Sequence, residues 1–264
     1  IVRNDDFVWN IYGNWSWIDN EVVSLGGDLD ALTLGGQWNV DVQARPGQPY
    51  GALFGPGYLR DPEGNIVHDN AGLPRIDETY KVLGNVVPDW TGGIGTSLTY
   101  KGITLSTLID AKWGNDIYSM TTTWGRYAGV LEETIAGRET GLIGEGVIQT
   151  GENTYVENNI VASAKAYNQR AYSNSVAEGS VFDGSFVKWR ELSLGYTLPN
   201  SLLGDFPMRD ISVNLIGRNL AILYTTIPHI DPETSFGTGN GNQGLEFGQL
   251  PSARSMGFNV SFKF

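Results

Sequence analysis

The sequence predicts an all-β chain whose strands form wall of a transmembrane antiparallel β-barrel with long outer loops. Three observations predict it. The last fourteen residues, Pro251 to Phe264, place Met256, Phe258, Val260, Phe262 and Phe264 on one parity and Ser255, Gly257, Asn259, Ser261 and Lys263 on the other, the signature of a strand with one apolar and one polar face. The composition agrees: 35 glycines and 11% aromatic residues suit strands and turns, and charged residues, at 17%, fall below the soluble average of about 25%. The connections between alternating segments are also by turns long and short, as in bacterial barrels.

The terminal alternation is informative because a soluble domain seldom ends on an unprotected aromatic strand, whose fraying edge would pair with other chains. In a barrel, lipid covers the apolar face and closure removes the edge. Upstream, Asp5 to Trp17 alternates with Phe7, Trp9, Ile11, Trp15 and Trp17 on one face. Residues 18–90 are rich in glycine and proline turns, so only short extended pieces such as Trp38 to Val42 are expected there. Gly93 to Tyr100 and Ile103 to Ala111 form a hairpin turned at Lys101-Gly102. Residues 113–184 make a second insertion, where Ile160, Ala164, Tyr167 and Ala171 have the spacing of a helix within Asn158 to Tyr172. Ser185 to Thr197 alternates through Leu192, Leu194 and Tyr196, and Leu198 to Arg209, with two prolines, connects it to the next strand. Asp210 to Tyr224 alternates through Ile211, Val213 and Leu215. Its parity slips after Gly217, so a bulge there would leave Leu220 and Ile222 on the apolar face. A third loop, 225–251, leads to the last strand. The total is six strands, too few to close a barrel, for which about eight is the minimum.

Several classes are disfavoured. No run reaches the roughly 18 apolar residues of a spanning helix, although a spanning strand needs only about 9 to 11 alternating residues. There is no cysteine, hence neither disulfide nor thiolate metal site. A net charge of -12 argues against nucleic acid as a partner. The opening at Ile1, without Met or a signal-like region, reads as that of a fragment or processed piece.

Chemical motifs are weak. Gly239 to Gly244 matches GxGxxG, but a dinucleotide site needs a helix after it, so a flexible loop is the better reading. Asp61 to Asn65 has alternating oxygen ligands but Ile66 where a calcium loop needs glycine, so a turn is favoured. Asp28 with Asp30, and Asp231 with Glu233, are weak pairs, because a glycosidase acid and nucleophile need a defined separation across a cleft that spacing along the chain does not supply. His68 and His229 have no partner at metal-ligand spacing. The sequence offers no enzyme signature and calls for no cofactor. Lys188, Arg190, Glu191, Arg218 and Arg254 are charges in or near strands. Facing lipid would cost about 2 to 4 kcal/mol for a mid-membrane Arg or Lys, so those within the span are expected to point into the lumen or sit at an interface. Tyr50, Tyr58, Trp113, Trp124, Tyr127 and Phe236 lie in loops beside acidic groups. With Asp231 and Glu233 they are the expected surface for a sugar ring or a protein partner.

The run FVKWRELSLGYTLP (186–199), then VNLIGRNLAILY (213–224), then IDPETSFGTGNGNQGLEFGQLPSARSMGFNVSFKF (230–264) resembles the end of SusC/RagA-type TonB-dependent transporters. FVWNIYGNWSWIDNEVVSL (7–25), GYLRDPEGNIV (57–67) and VLGNVVPDWTGGIGTSLTYKGITLSTLIDAKWG (82–114) resemble earlier parts of the same family. The resemblance implies that residues 1–264 are the C-terminal portion of a 22-stranded barrel in the bacterial outer membrane, with the plug and earlier strands absent from this chain. It further implies TonB-energised import of oligosaccharides or peptides with a SusD-like surface lipoprotein as lid, so that Arg190, Glu191, Arg218 and Arg254 would face lumen or plug and the loop aromatics with Asp231 and Glu233 would meet substrate or lid. The alternative from another class is a secreted β-sandwich module that binds glycans, whose apolar faces would meet across a core about 10 Å thick.

Overall fold

A computed structural model describes residues 2–4, 6–173, 175–204 and 207–263. The alternating segments become β1 (Phe7–Trp17), β2 (Trp90–Tyr100), β3 (Ile103–Trp113), β4 (Phe186–Thr197), β5 (Arg209–Thr225) and β6 (Ser255–Lys263). They pair antiparallel in sequence order, and the two residues Val2–Arg3 add a seventh strand beside β1. Phe264, expected to end the last strand, lies outside the described residues.

Register puts every apolar parity on one face. Trp9 pairs with Leu98, Leu98 with Leu105, Leu105 with Leu194, Leu194 with Leu215, and Leu215 with Phe258. No second layer covers this face among the described residues: Trp15 is 71% exposed, Leu215 58% and Phe258 76%. A β-sandwich would have buried them, so that alternative does not stand. Two tryptophan N–H groups on this face find partners within the wall, as hydrocarbon favours. Trp9 Nε1 donates to Thr96 Oγ1 at 2.8 Å and Trp189 Nε1 to Thr107 Oγ1 at 2.7 Å. Each threonine hydroxyl in turn donates to a carbonyl, of Asn10 and Glu191. Aromatic side chains mark both ends of the apolar band: Phe7, Tyr100 and Tyr196 at one, Trp17, Trp90, Trp113 and Tyr224 at the other. From Ile103 to Trp113 a tilted strand rises about 25 Å, the height of a membrane-spanning apolar band.

The opposite face carries Ser, Thr, Asn, Gly and the charged residues Asp110, Lys112, Lys188, Arg190, Glu191 and Arg218. Arg190 has no counterpart on β3, because Trp189 pairs with Ile109 and Glu191 with Leu108. On β5 the shift lies at residues 219–220, with Asn219 at φ 51°, and again at Leu223. The bulge expected after Gly217 is therefore present. It sets Ala221 opposite Trp189 and Ile222 opposite Lys188, so Ile222 shares the polar parity instead of the apolar one.

All three long insertions, 18–89, 114–185 and 226–254, leave the same rim. The opposite rim carries short connections, among them the two-residue turn at Lys101-Gly102 and the link with a short helix at Asn200–Leu203. Lys101 and Gly102, at φ 48° and 84°, make the both-positive turn that matches strand twist.

The insertions are more ordered than their turn-rich sequence suggests. Insertion 18–89 folds its strands Leu32–Gln37, Val40–Ala44, Ala52–Gly55 and Lys81–Asn85 into a sheet. Trp38 and Asn39 are its first turn, so the extended piece begins at Val40, not at Trp38. Two further small sheets join insertions to each other: Val181–Asp183, Asp116–Ser119 and Leu245–Glu246 form one, and Thr154–Glu157, Val147–Gly151 and Val67–His68 the other. Helix α1 (Met120–Ala128), unforeseen in the sequence, is capped by Ser119, whose hydroxyl accepts from Thr122 N at 3.1 Å, and ends at Gly129 with φ 73°. Helix α2 (Ala164–Ala171) falls inside the expected segment, with Ser163 as its cap.

The packed core lies in this cap and not in the wall. Val40, Val42, Leu53 and Val86 from the first insertion, Tyr118, Met120 and Ala177 from the second and Leu245 from the third form one cluster. Burying a side chain such as Leu53 or Met120 stabilises the cap by roughly 1.5–3 kcal/mol.

Candidate functional site

Two features arise where the insertions converge. The first is an aromatic patch on the cap. Trp38, held at φ 53° at the tip of its hairpin, stands edge-on to Phe247 with ring centroids 4.9 Å apart, and to Trp124 at 6.5 Å. Trp124 meets Tyr127, one helical turn on, at 5.5 Å. Each insertion supplies part of the patch. Its buried side rests on the core through Trp124, while Trp38, Tyr127 and Phe247 remain partly exposed. Aromatic faces held this way suit a sugar ring or a protein surface.

Beneath Phe247 lies Glu246, 1% exposed, which has hydroxyl and amide partners and no ion pair among the described residues. Its Oε2 accepts from Ser119 Oγ and its Oε1 from Thr121 Oγ1, both at 2.6 Å. A carboxylate at the first turn of α1 is favoured by the helix dipole, and α1 has no acidic residue of its own there. Glu246 thus ties the third insertion to the second.

The second feature is a charged latch on the polar face of the wall. Lys188 is buried, and its Nζ reaches Asp231 Oδ1 at 2.5 Å and Glu233 Oε2 at 2.6 Å. Arg190, the bulged residue, bonds Asp110 at 2.9 Å and grips Glu233 through both Nη atoms. Asp231 further accepts from Ser252 N and from the Ser252 hydroxyl. Burial alone would raise the Asp231 carboxyl, but the bonds from Lys188 and Ser252 outweigh it and hold it at about 2. Glu233 is likewise lowered, burial being overcome by Arg190 and Lys188. A parallel latch joins the first two insertions, where Glu178 accepts from Arg60 at 2.5 Å and Lys81 at 2.8 Å.

The expected site residues are dispersed. Trp124 and Tyr127 meet in the patch. Tyr50 and Phe236 are exposed elsewhere on the cap, Tyr50 N donating to Asn20 and Phe236 N to the Leu245 carbonyl. Three expectations need correction. Tyr58 is buried, its hydroxyl donating to the Ala171 carbonyl at 2.7 Å, and desolvation pushes its phenol well up. Trp113 is the last residue of β3, on the apolar face, stacked between Trp90 at 6.0 Å and Tyr224 at 5.3 Å. Asp231 and Glu233 are committed to the buried Lys188 and the partly buried Arg190, whose charges they neutralise. Arg190, Glu191 and Arg218 take the polar parity, with Arg218 Nε donating to Glu191 Oε2 at 2.9 Å. Arg254 precedes β6 and is exposed. Asp61 is occupied by its own turn, accepting from Glu63 N and Asn65 N, and Gly239 to Gly244 contains a single turn of 3-10 helix at Asn240–Asn242. Trp38, Phe247 and Glu246 escaped sequence reasoning. Adjacent turns and polar residues hide them, and no periodicity links three separate insertions.

No family model matches the chain. TonB-dependent receptor P3 of Formosa agariphila is 26% identical over 292 residues, spanning all of this chain and 27% of that receptor. TonB-dependent receptor P26 of the same organism is 27% identical over 300 residues, spanning 99% of this chain and 28% of that receptor. The chain thus spans little more than a quarter of these curated relatives. Among solved structures, the RagAB peptide importer in its open-open state superposes with a TM-score of 0.65 at 17% identity, over 100% of this chain and 27% of that one. Its closed-closed state gives 0.62 at 17% identity over 99% and 28%. The exposed apolar wall, the whole-length sequence likeness and the shared fold make this chain similar to part of a TonB-dependent receptor, with the fold of the corresponding part of the RagAB importer.

Proposed function

We propose that the chain is the C-terminal part of the barrel wall, with its outer loops, of an importer energised through TonB. The remaining strands of a 22-stranded barrel, the plug and the TonB contact belong to other parts of the whole protein. The observation that carries this reading is that all three insertions rise from one rim of a lipid-facing wall and share one core, as an external receptor surface requires. The relatives are named as receptors and the structural neighbours as importers, so the role is transport and not enzymatic catalysis. The cargo is oligosaccharide or peptide, and the lid is a SusD-like surface lipoprotein. The patch of Trp38, Trp124, Tyr127 and Phe247, with Tyr50 and Phe236 on the same cap, supplies contacts for cargo or lid. Arg190, Glu191 and Arg218 face the lumen, where Arg190 also anchors the third insertion.

The test is the triple substitution W38A/W124A/Y127A in the full-length receptor, read by TonB-dependent uptake and by co-purification of the lipoprotein. Loss of either at normal membrane abundance supports the reading. Both unchanged would refute the role given to the patch.

A further inference from the structure

We propose that the outer edge of the strand Thr154–Glu157, together with the acidic groove beside it, binds an extended cationic peptide as cargo. This rests on the import reading and narrows the cargo to one chemistry. The strand is the edge of its small sheet, paired only with Val147–Gly151. Asn158 N donates to the Gly146 carbonyl at 2.9 Å, and Ile148 lies opposite Val156. That alternation turns the main-chain groups of Val156 inward and those of Tyr155 and Glu157 to the open side. No main-chain bond from another segment reaches them among the described residues.

Natural edges are commonly blunted by lysine or proline, and Thr-Tyr-Val-Glu has neither; the one register shift in its pairing lies on the partner strand, between Gln149 and Gly151, away from Tyr155 and Glu157 on the open side. An incoming strand would find two donors and two acceptors at the spacing of a β-ladder, the basis of peptide capture by strand addition. A sugar cannot continue a ladder. A peptide can.

The groove specifies charge. It has a volume of about 800 Å³, and its walls include Asp61, Glu63, Glu145 and Glu157 with no lysine or arginine. Glu63, Glu145 and Glu157 form no ion pair among the described residues. Val147 lies opposite Glu157 and shares its face, so every second side chain of an added strand would project over these carboxylates. Basic residues at alternate positions fit that geometry, with apolar residues between them.

The probe is a fluorescent acetyl-Lys-Val-Lys-Val-Lys-amide titrated onto the detergent-purified full-length receptor. We expect saturable binding that E145Q/E157Q weakens about 3- to 10-fold, the sum of two partly exposed charge pairs. The same peptide N-methylated on alternate amides should lose about tenfold or more, since it cannot complete the ladder. Equal affinity of the methylated peptide, or of the double variant, overturns the proposal. The methylation leaves the protein untouched, so misfolding cannot mimic that result. Absent peptide binding in a receptor that retains TonB-dependent uptake of another cargo sinks this inference alone, whereas loss of all TonB-dependent uptake sinks the import reading.

Discussion

Replacing Lys188 by alanine should release the third insertion from the wall. In the native latch Lys188 and Asp231 are 3% and 4% exposed at their side chains, with the ammonium 2.5 Å from the carboxylate. Removing the cation leaves Asp231 ionised, buried and short of its partner, and breaking a buried pair costs about 3–5 kcal/mol. The remaining bonds from Ser252 and the Glu233 amide offset part of this. The carboxyl's fall from 3.8 to about 2 is an independent gauge, worth roughly 2 kcal/mol to the docked state. Because that value is depressed, its stabilisation is complete above the unfolded value near 3.8 and vanishes as pH falls through about 2. Docking in the native receptor should therefore outlast moderate acidification. Hydrogen exchange over residues 226–254 in the full-length receptor measures the effect. We expect a rise of about 30-fold or more in K188A, corresponding to at least 2 kcal/mol of local opening. The apolar pair K188M/D231L should recover much of the protection, since it removes both charges together. Unchanged exchange in K188A would refute the latch, and equal exchange in K188A and K188M/D231L would assign the docking to packing and not to charge.

Other outcomes follow from the same geometry. Ile94→Arg, on the apolar face in the middle of the band, should cost about 2–4 kcal/mol in bilayer unfolding, while Ser97→Arg on the polar face of the same strand should cost far less. An added Cβ at Gly95 would lie 2.3 Å from the Tyr12 ring, so Gly95→Val should destabilise by about 1–3 kcal/mol in thermal unfolding, and less in a Y12A background. Glu246→Ala removes the acceptor of Ser119 and Thr121 at the start of α1, and should cost roughly 1–3 kcal/mol of local stability, read as faster amide exchange at residues 120–123.

The wall was legible because period-2 patterning is a local property, and one buried or lipid-facing side fixes register. Phe7 to Trp17, Ile103 to Trp113 and the last strand show it without help from any neighbour. Loop asymmetry likewise followed from counting residues between strands. The charged strand residues were legible only in part: cost in lipid puts Arg190 and Glu191 on the polar side, but nothing local says that Lys188 takes Asp231 across 43 residues. Tyr58 illustrates the converse error, since an aromatic among glycines and prolines reads as exposed until α2 and the Ala171 carbonyl cover it.

The sequence by itself determined the six long strands, their apolar sides up to the β5 bulge and the rim from which the insertions rise, because each depends on spacing along the chain. Only the tertiary structure decided that Val40, Leu53, Tyr118, Met120 and Leu245 share a core, that Trp38, Trp124 and Phe247 form one patch, and which carboxylates are spent on Lys188 and Arg190. Those contacts join segments tens to hundreds of residues apart, whose hydrophobic and charged partners become neighbours only after the wall brings the insertions to one rim.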